Sequence, residues 1–328
     1  MIIPPLPLLE LIPLDEIVEP NPVILVTTPG AWEAVASDLR ALNIAFRIDA
    51  KEATMPCWMT LAADLMAKIS NLQPMGIGTP TSIYAVGGGL AVDTAKYFAH
   101  HTKLPLICLP TALSVDAFLT STSGARHNGC VQYVDTKAPD RLVVDFDVIA
   151  AAPPHLRAAG ICDVLSIYTG LWDWEYAEEQ SENPPEMALA PWAADAAEAI
   201  LQGALDCAPA AGEGDPDGLK QLLDCLAMEV QLCNQLGHSR PEEGSEHFFA
   251  YAVENHLSPG HSHGELVGPG ILLMAKKQEQ DVEEIRHALE SCHIPLDAIP
   301  KDIVETTLRE LPDYVRKHEL PYGIAHEL

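Results

Sequence analysis

The first 110 residues alternate between short apolar runs and segments with helical periodicity. Four apolar runs predict β-strands, at residues 23–28, 44–49, 82–86 and 104–110. After three of them, apolar side chains recur every three or four residues, which predicts helices over residues 29–43, over 58–72 and from about 90. Continuously apolar strands separated by amphipathic helices are typical of a parallel sheet with helices on both faces. The pattern therefore predicts an α/β fold for this part of the chain.

The pattern changes at about residue 155, after which no strand pattern is found. Five segments have the periodicity and composition of helices: residues 154–179, 187–206, 218–237, 245–257 and 281–292. Clusters of proline and glycine separate them, and we interpret the acidic stretch 211–217 as a turn. We therefore expect two domains, an α/β domain with a parallel sheet at residues 1–154 and an all-α domain at residues 155–328.

Length and composition indicate a globular protein. The chain has 328 residues, 48% of them hydrophobic, which is enough to bury at least one large core. No segment approaches the roughly 18 uninterrupted apolar residues that cross a membrane. The apolar N-terminal segment carries prolines and acids and lacks the basic start of a secretory signal. We therefore expect a soluble, cytoplasmic protein without a membrane span.

Charge and cysteine content narrow the possible partners. The chain has 47 Asp and Glu against 19 Lys and Arg, a net charge of -28. Such a chain repels nucleic acid and anionic membranes, so neither is expected as a partner. The eight cysteines include no C-x-x-C pair, which argues against a disulfide framework and a cysteine zinc site. A high-salt cytoplasm is one hypothesis for the acidity.

Three consecutive glycines stand where the third predicted strand gives way to a helix. Gly87, Gly88 and Gly89 follow the apolar run at residues 82–86. In an open α/β sheet this junction presents backbone N–H groups to a ligand phosphate, and a Cβ there would block close approach. The stretch is not the G-x-G-x-x-G fingerprint of dinucleotide-binding folds, so a tight turn without a ligand is the alternative.

Histidines and acids are concentrated between residues 246 and 265. His247 lies in a helical segment and His263 stands 16 residues further on, and the other members of the group are Glu246, His256, His261 and Glu265. Imidazoles grouped with carboxylates suggest a divalent metal held by nitrogen and oxygen. Asp163, a lone acid in an apolar helical segment, is a candidate third ligand. The spacing leaves open that these are surface or capping residues.

Five motifs occur in an order that resembles a known superfamily. They are "GGGLAVDTAK" (87–96), "PTALSVD" (110–116), "GICDVLS" (160–166), "SRPEEGSEH" (239–247) and "HGELVG" (263–268). This series, over roughly residues 22–275, resembles the glycerol dehydrogenase, iron-containing alcohol dehydrogenase and dehydroquinate synthase superfamily. Residues 135–177 and 237–249 are most similar to its sn-glycerol-1-phosphate dehydrogenase branch.

The resemblance implies a nicotinamide cofactor, NAD or NADP, in the first domain. The pyrophosphate would lie on Gly87, Gly88, Gly89, Leu90 and Ala91, and the nicotinamide side would be lined by Thr111, Ser114 and Thr120. It also implies an active-site cleft between the domains and a catalytic metal held in the second domain by Asp163, His247 and His263. Zinc is our first choice, because it is redox-inert and accepts Asp and His, while iron, nickel and manganese remain open.

The same resemblance implies a reaction and its substrate contacts. The branch interconverts dihydroxyacetone phosphate and sn-glycerol 1-phosphate by hydride transfer, which would place the protein in phospholipid biosynthesis as a homo-oligomer built from dimers. Asp116 and Asp163 would contact the substrate, with Tyr251 as a further catalytic candidate. Lys137 and Arg240 lie in segments that resemble this branch and are the candidates for binding the phosphate.

Some positions depart from the branch's pattern. Tyr251 stands where the branch usually carries a substrate-contacting histidine, and His238 stands in place of a serine. The first strand ends in "VTTPGAW", without an acid for the ribose, so NADP is expected to be accepted as well as NAD, unless Asp49 restores a preference for NAD.

These departures keep other functions open. The first alternative is a dehydrogenase of unphosphorylated glycerol or another small polyol. A second is a sugar-phosphate cyclase of the dehydroquinate synthase type, but the stretch "PTALSVDAFLTSTSGAR" lacks that branch's glycine pair and lysine. A third alternative is a non-catalytic relative that binds NAD or a metal.

Overall fold

The computed structural model describes residues 3–72 and 78–328. The chain divides into two compact units, one ending at Ala152 and the other comprising Pro153–Leu328. The first unit contains all the β-strands of the described residues, and the second is helical.

The first unit is built on a six-stranded sheet. Its strands are β1 (Leu8–Leu11), β2 (Glu19–Thr27), β3 (Leu42–Asp49), β4 (Ser82–Val86), β5 (Leu106–Leu109) and β8 (Arg141–Val144). All neighbouring strands are parallel, in the order β1-β8-β5-β4-β2-β3. The described residues of this unit also form four α-helices, α1 (Pro29–Val35), α2 (Met55–Leu72), α3 (Gly89–Thr102) and α4 (Phe146–Ala150). The predicted parallel-sheet α/β fold is therefore confirmed.

The central strands are buried on both faces, as their apolar sequences require. Every residue of β4 is buried, and so are the last five of β2. Side chains that alternate along the strands form one core with the packed helices: Leu14, Ile17, Val23, Leu25, Val35, Leu39, Leu42, Tyr84, Val86, Ile107, Leu109 and Val143. This packing fixes the carboxyl ends of β4 and β5 at the same edge of the sheet.

Four strands were not predicted, because none of them is a long apolar run. β6 (Thr122–His127) and β7 (Cys130–Asp135) form an antiparallel hairpin whose strands interleave polar and apolar residues. Asn128 and Gly129 close it with φ of 52° and 81°, the left-handed conformations that a two-residue hairpin turn needs. β1 is an edge strand between prolines, and β8 has only four residues.

The second unit contains nine α-helices and no strand among its residues. They are α5 (Pro154–Arg157), α6 (Ile161–Leu165), α7 (Ile167–Glu179), α8 (Pro191–Glu213), α9 (Pro216–Leu236), α10 (Ser245–Val253), α11 (His263–Lys277), α12 (Glu283–Ser291) and α13 (Lys301–Lys317). α8 and α9 pack closely, and a Cβ on Gly218 would lie 2.5 Å from the Ala211 nitrogen. The all-α second part is confirmed.

The acidic turn is much shorter than predicted. Instead of spanning residues 211–217, the break is limited to Gly214, with φ of 81°, and Asp215. Asp215 caps α9 by accepting hydrogen bonds from the backbone nitrogens of Asp217 and Gly218. The acids therefore start a helix instead of forming a solvated loop, because a carboxylate at this position satisfies N–H groups that have no partner within the helix.

Hydropathy along the helices agrees with the absence of apolar spans in the sequence. Within residues 3–72 and 78–328, no helix has both the length and the apolar character needed to traverse a bilayer.

Candidate active site

The three glycines form the turn between β4 and α3 in the first unit. Gly87 has φ of +135°, a backbone conformation that residues with a Cβ rarely adopt. A Cβ on Gly88 would lie 2.8 Å from Ser114 Oγ. Because α3 begins at Gly89, the turn presents the first N–H groups of a helix, which have no partner within the helix. This is the arrangement that binds phosphate groups at helix N-termini.

The other cofactor candidates lie beside this turn or on the segment that follows β5. Leu90 and Ala91 form the first turn of α3, with Ala91 fully buried. Thr111, Ser114, Asp116 and Thr120 are half-buried on the segment after β5. Since β4 and β5 are adjacent and parallel, both segments leave the sheet at the same edge.

A buried lysine fastens this segment to α3. The Lys96 ammonium donates hydrogen bonds to the Ala117 carbonyl at 3.0 Å, to Thr120 Oγ1 at 2.9 Å and to the Thr122 carbonyl. It also pairs with Asp93 at 2.9 Å. Lys96 lies within the glycine motif, but no role was predicted for it; the available signal was a lysine between the apolar residues Ala95 and Tyr97 of a helix.

In the second unit, three helices bring the predicted metal ligands together. Asp163 lies on α6, His247 on α10 and His263 at the start of α11. One ligand atom from each side chain lies within 4.8 Å of the other two. His263 Nε2 is 2.9 Å from Asp163 Oδ1, and the two imidazole centroids are 5.3 Å apart. Among the described residues this is the group of histidines and acids that could hold a metal ion.

His247 is held by its neighbour in the chain. Glu246 Oε1 lies 2.9 Å from His247 Nδ1, and both side chains are buried. Burial lowers the pKa of His247, but the hydrogen bond to Glu246 and the charges of Glu246, Glu243 and Asp163 outweigh it and raise the pKa to about 9. The acids around this imidazole therefore create a strongly negative local potential, which favours a cation.

These residues fit a divalent metal. One carboxylate and two imidazoles supply oxygen and nitrogen donors, the set that zinc and related divalent ions accept. Three protein ligands also leave a coordination position for a substrate oxygen. Glu246 was named in the sequence analysis only as a nearby acid, and its adjacency to His247 was the signal for its role.

The other histidines and acids of this region lie outside the cluster. His256 Nε2 is 2.9 Å from Glu310 Oε2 on α13. Glu265 accepts a hydrogen bond from the Ser262 nitrogen at 2.7 Å and so caps the start of α11. His261 is 3.8 Å from Glu265. The capping alternative therefore applies to Glu265, but not to His247 or His263.

Tyr251 lies one turn after His247 on α10 and is buried. Its hydroxyl donates to Glu243 Oε1 at 2.7 Å, and Ser239 donates to the other oxygen of Glu243 at 2.6 Å. The His247 and Tyr251 ring centroids are 6.1 Å apart. A carboxylate therefore lies close to the position at which the related branch carries a histidine.

The two phosphate candidates differ in their surroundings. Arg240 is fully buried, and its Nη2 donates to the carbonyls of Asp173 and Tyr322, both at 2.9 Å. Among the described residues its Nε and Nη1 have no hydrogen-bond partner. Lys137, in the first unit, is bound to Asp140 Oδ2 at 2.7 Å and to the Leu104 carbonyl at 3.0 Å.

Comparison with known proteins identifies relatives over most of the chain. Residues 18–153 match a family model described as iron-containing alcohol dehydrogenase. A glycerol-1-phosphate dehydrogenase, NAD(P)+, of Methanothrix thermoacetophila is 32% identical over 234 residues, 70% of this chain and 64% of the relative. The enzyme of the same name from Sulfurisphaera tokodaii is 30% identical over 242 residues, 72% of this chain and 68% of the relative.

A solved structure supports the fold. The glycerol dehydrogenase of Schizosaccharomyces pombe superposes with a TM-score of 0.64 at 21% identity, over 94% of this chain and 79% of that chain. The segment matched to the Methanothrix thermoacetophila protein spans less than two thirds of that relative's length.

Proposed function

Since the chain belongs to the glycerol-1-phosphate dehydrogenase family, related to the iron-containing alcohol dehydrogenases, we propose that it is an NAD(P)-dependent oxidoreductase. In this proposal it reduces dihydroxyacetone phosphate with NAD(P)H and a proton to sn-glycerol 1-phosphate and NAD(P)+. The observation that carries the proposal is the convergence of Asp163, His247 and His263 from three helices. The product is a building block of phospholipids, so we place the enzyme in their biosynthesis, in the cytoplasm.

Each residue cluster has a distinct role in this proposal. Asp163, His247 and His263 hold the metal, for which zinc is the first choice. A dication supplies Lewis-acid stabilisation of the negative charge that develops on the substrate oxygen. Asp163 and Asp116 accept hydrogen bonds from substrate hydroxyl groups, since an ionised carboxylate has only acceptors.

The first unit contributes the cofactor site. The backbone N–H groups at Gly88 and Gly89 bind the pyrophosphate, and the absence of side chains on the turn permits close approach. Ser114 and Thr120 face the nicotinamide side, and Lys96 holds Thr120 in place through its hydroxyl. The bound nicotinamide supplies the hydride.

We propose that both NAD and NADP are accepted. Asp49 is the last residue of β3, and Arg47 lies 2.8 Å from its carboxylate. An acid at the end of such a strand binds the ribose hydroxyl of NAD, whereas an arginine nearby accommodates the additional phosphate of NADP. Asp49 and Arg47 therefore offer one partner for the ribose hydroxyl of NAD and one for the phosphate of NADP. Both side chains are exposed enough to rearrange.

Arg240 is the better supported phosphate ligand of the two candidates. A buried guanidinium with unpaired N–H groups is costly, and an anionic substrate group would satisfy Nε and Nη1 together. The ammonium of Lys137 already has a carboxylate partner. Replacing Arg240 with Lys should therefore raise the KM for dihydroxyacetone phosphate more than Lys137→Met does.

Oxidation of glycerol or another unphosphorylated polyol is the second candidate. Glu243 places a carboxylate against Tyr251, one helical turn from the proposed metal ligand His247. A carboxylate repels a phosphate but accepts a hydrogen bond from a hydroxyl. The pair of Glu243 and Tyr251 is a departure from the phosphate-specific branch, which usually carries a histidine at the position of Tyr251.

A direct substrate comparison separates the two candidates. Zinc-loaded protein is given dihydroxyacetone phosphate or dihydroxyacetone, and NADH and NADPH consumption is followed by absorbance. We expect kcat/KM to favour the phosphate ester by at least about 100-fold, because charge-assisted contacts to a buried phosphate contribute about 1.5 to 3 kcal/mol each. A preference for dihydroxyacetone would support the polyol dehydrogenase instead.

A further inference from the structure

Glu246 is a fully buried acid whose two oxygens are both engaged. Oε1 lies 2.9 Å from His247 Nδ1 and accepts a hydrogen bond from the Gly244 nitrogen at 2.7 Å. Oε2 accepts a hydrogen bond from Thr169 Oγ1 on α7 at 2.7 Å. The carboxylate is 0% exposed, so its charge is balanced by these donors instead of by water.

The contact fixes the proton arrangement of the imidazole. An ionised carboxylate has no proton to donate, so Nδ1 of His247 must carry the hydrogen and donate it to Glu246. The lone pair of a neutral His247 is then on Nε2, the ring atom that remains for a metal. With the opposite tautomer, Nδ1 and the Glu246 carboxylate would be two acceptors at 2.9 Å.

The start of α10 is held from two sides, which leaves Glu246 little freedom. Ser245, the preceding residue, donates its backbone N–H to Asp173 Oδ2 at 2.7 Å and its hydroxyl to the same oxygen at 2.5 Å. Asp173 Oδ1 accepts hydrogen bonds from the Ile324 nitrogen and from Gln278 Nε2. Gly323 passes so close that a Cβ there would lie 2.3 Å from Asp173.

We infer that Glu246 is a positioning residue for the metal centre. It acts through His247, by orienting the imidazole, fixing its tautomer and raising its basicity toward a cation. The inference rests on the proposed metal site and does not depend on which substrate the enzyme reduces. Carboxylates that hold a ligating histidine in this way typically affect metal affinity by about 10- to 100-fold.

The test compares two glutamates that each contact a histidine. Glu246→Gln removes the carboxylate charge beside the proposed metal ligand His247. Glu310→Gln removes the carboxylate charge beside His256, which lies outside the cluster. Zinc affinity is measured on the full chain by competition with a chromophoric chelator. We expect the Kd for zinc to rise about 10- to 100-fold in E246Q and to stay within about twofold of wild type in E310Q.

A spectrum separates a change at the metal from a general loss of stability. In the cobalt-substituted protein, the visible absorption bands should shift in E246Q and stay unchanged in E310Q, because the bands report the ligands around the ion. If E246Q fails to fold, Thr169→Val tests the same contact, since it removes only the hydroxyl that holds Oε2. It should weaken zinc binding and shift the bands in the same direction.

Three results would overturn the inference. The first is an unchanged zinc Kd and cobalt spectrum in E246Q or, if E246Q does not fold, in T169V. The second is an equal loss of affinity in E310Q, which would indicate a general charge effect. The third is equal zinc binding by wild type and His263→Ala, which would reject the proposed metal site itself and so identify a failure of the proposed function.

Discussion

Gly87 is the residue at which the proposed cofactor site depends most on backbone conformation. Its φ is +135°, and a Cβ at this position would lie 3.1 Å from Ala31 Cβ. Any larger residue at position 87 would therefore strain the backbone and crowd Ala31. Gly30, at the start of α1, has no atom within 4 Å of the corresponding position. The two glycines therefore provide a matched pair, one constrained and one free.

Gly87→Ala should lower the free energy of unfolding by about 1 to 3 kcal/mol, because alanine must adopt a strained backbone conformation. It should also weaken NAD(P)H binding at least about tenfold, because the strained turn displaces the backbone donors. Gly30→Ala should leave both quantities unchanged within about 0.5 kcal/mol. Urea denaturation and fluorescence titration with NADPH measure the two effects, and equal behaviour of the two variants would reject the assignment of the turn.

The raised pKa of Asp173 leads us to predict a specific dependence of the free energy of unfolding on pH. Burial and the charge of Glu246 raise its pKa to about 6, against the hydrogen bonds from Ser245 and Ile324. In the folded state it therefore binds a proton more tightly than in the unfolded state, and its contribution to stability falls as pH rises from about 4 to about 6. The shift corresponds to about 3 kcal/mol.

Asp173→Asn should flatten this part of the stability curve, because asparagine does not titrate. Urea unfolding of the metal-free wild type and variant at pH 4, 5, 6 and 7 measures the difference. The difference between the two free energies of unfolding should change by about 3 kcal/mol between pH 4 and pH 6 and little above it. A constant difference over the whole range would contradict the assigned pKa.

The proposed metal ligands could be predicted from the sequence, but the contacts that hold them in place could not. Asp163, His247 and His263 were proposed from residue type and motif order, and the structure brings them together. Glu246 and Asp173 were not assigned their contacts, since these involve Thr169 and Ile324, which are distant in the chain. Hydropathy patterns carry no information on such long-range partners.

At the scale of elements, a metal would link three helices of the second unit. α6, α10 and α11 each carry one of the proposed ligands, so metal binding would stabilise the folded state by mass action. At a free zinc concentration 100-fold above Kd, the stabilisation is about 2.7 kcal/mol.

His263→Ala should abolish the increase in melting temperature that zinc gives the wild type, while leaving NADPH affinity unchanged within about twofold. The reason is that His263 belongs to the second compact unit and the glycine turn to the first. His256→Ala is the control, since this histidine contacts Glu310 outside the cluster, and its zinc response should be retained. Loss of NADPH binding in H263A, or a retained zinc response, would contradict the assignment.

The elements that were predicted and missed differ in a consistent physical way. β2, β4 and β5 were found because strands buried on both faces are continuously apolar. β3 is an edge strand that is only partly buried, and it was found from the apolar residues Ile44, Phe46 and Ile48 that alternate along it. The hairpin β6-β7 was missed because its strands interleave polar and apolar residues and are partly exposed, although its Asn-Gly turn was visible in the sequence. α11 and α13 each contain an internal proline, which conceals a helix from a reading of local sequence.

At the scale of the whole molecule, the net charge of -28 is a source of self-repulsion in the folded state. Raising KCl from 0.1 to 1 M shortens the screening length from about 10 Å to about 3 Å. We predict that the free energy of unfolding, measured with urea, rises over this range. Sucrose at matched osmolality is the control, and a steady fall in stability and activity with KCl would reject the high-salt hypothesis.

The number of subunits belongs to the same scale, and an assembly built from dimers stays a prediction. Sedimentation equilibrium on zinc-loaded protein measures the mass of the particle against the 35.4 kDa of one chain. A mass of twice this value or an even multiple is expected, and a monomer at micromolar concentration would contradict it.

The most direct test of the central claim follows the hydride itself. Zinc-loaded enzyme is incubated with dihydroxyacetone phosphate and reduced cofactor, NADH or NADPH, that carries deuterium at C4 of the nicotinamide. One incubation uses cofactor labelled on one face of the ring and a second uses cofactor labelled on the other, and the product is examined by NMR and by a chiral assay. We predict deuterium on C2 of sn-glycerol 1-phosphate, from one of the two labelled cofactors. A product without deuterium from either cofactor, or the sn-3 enantiomer, would contradict the account.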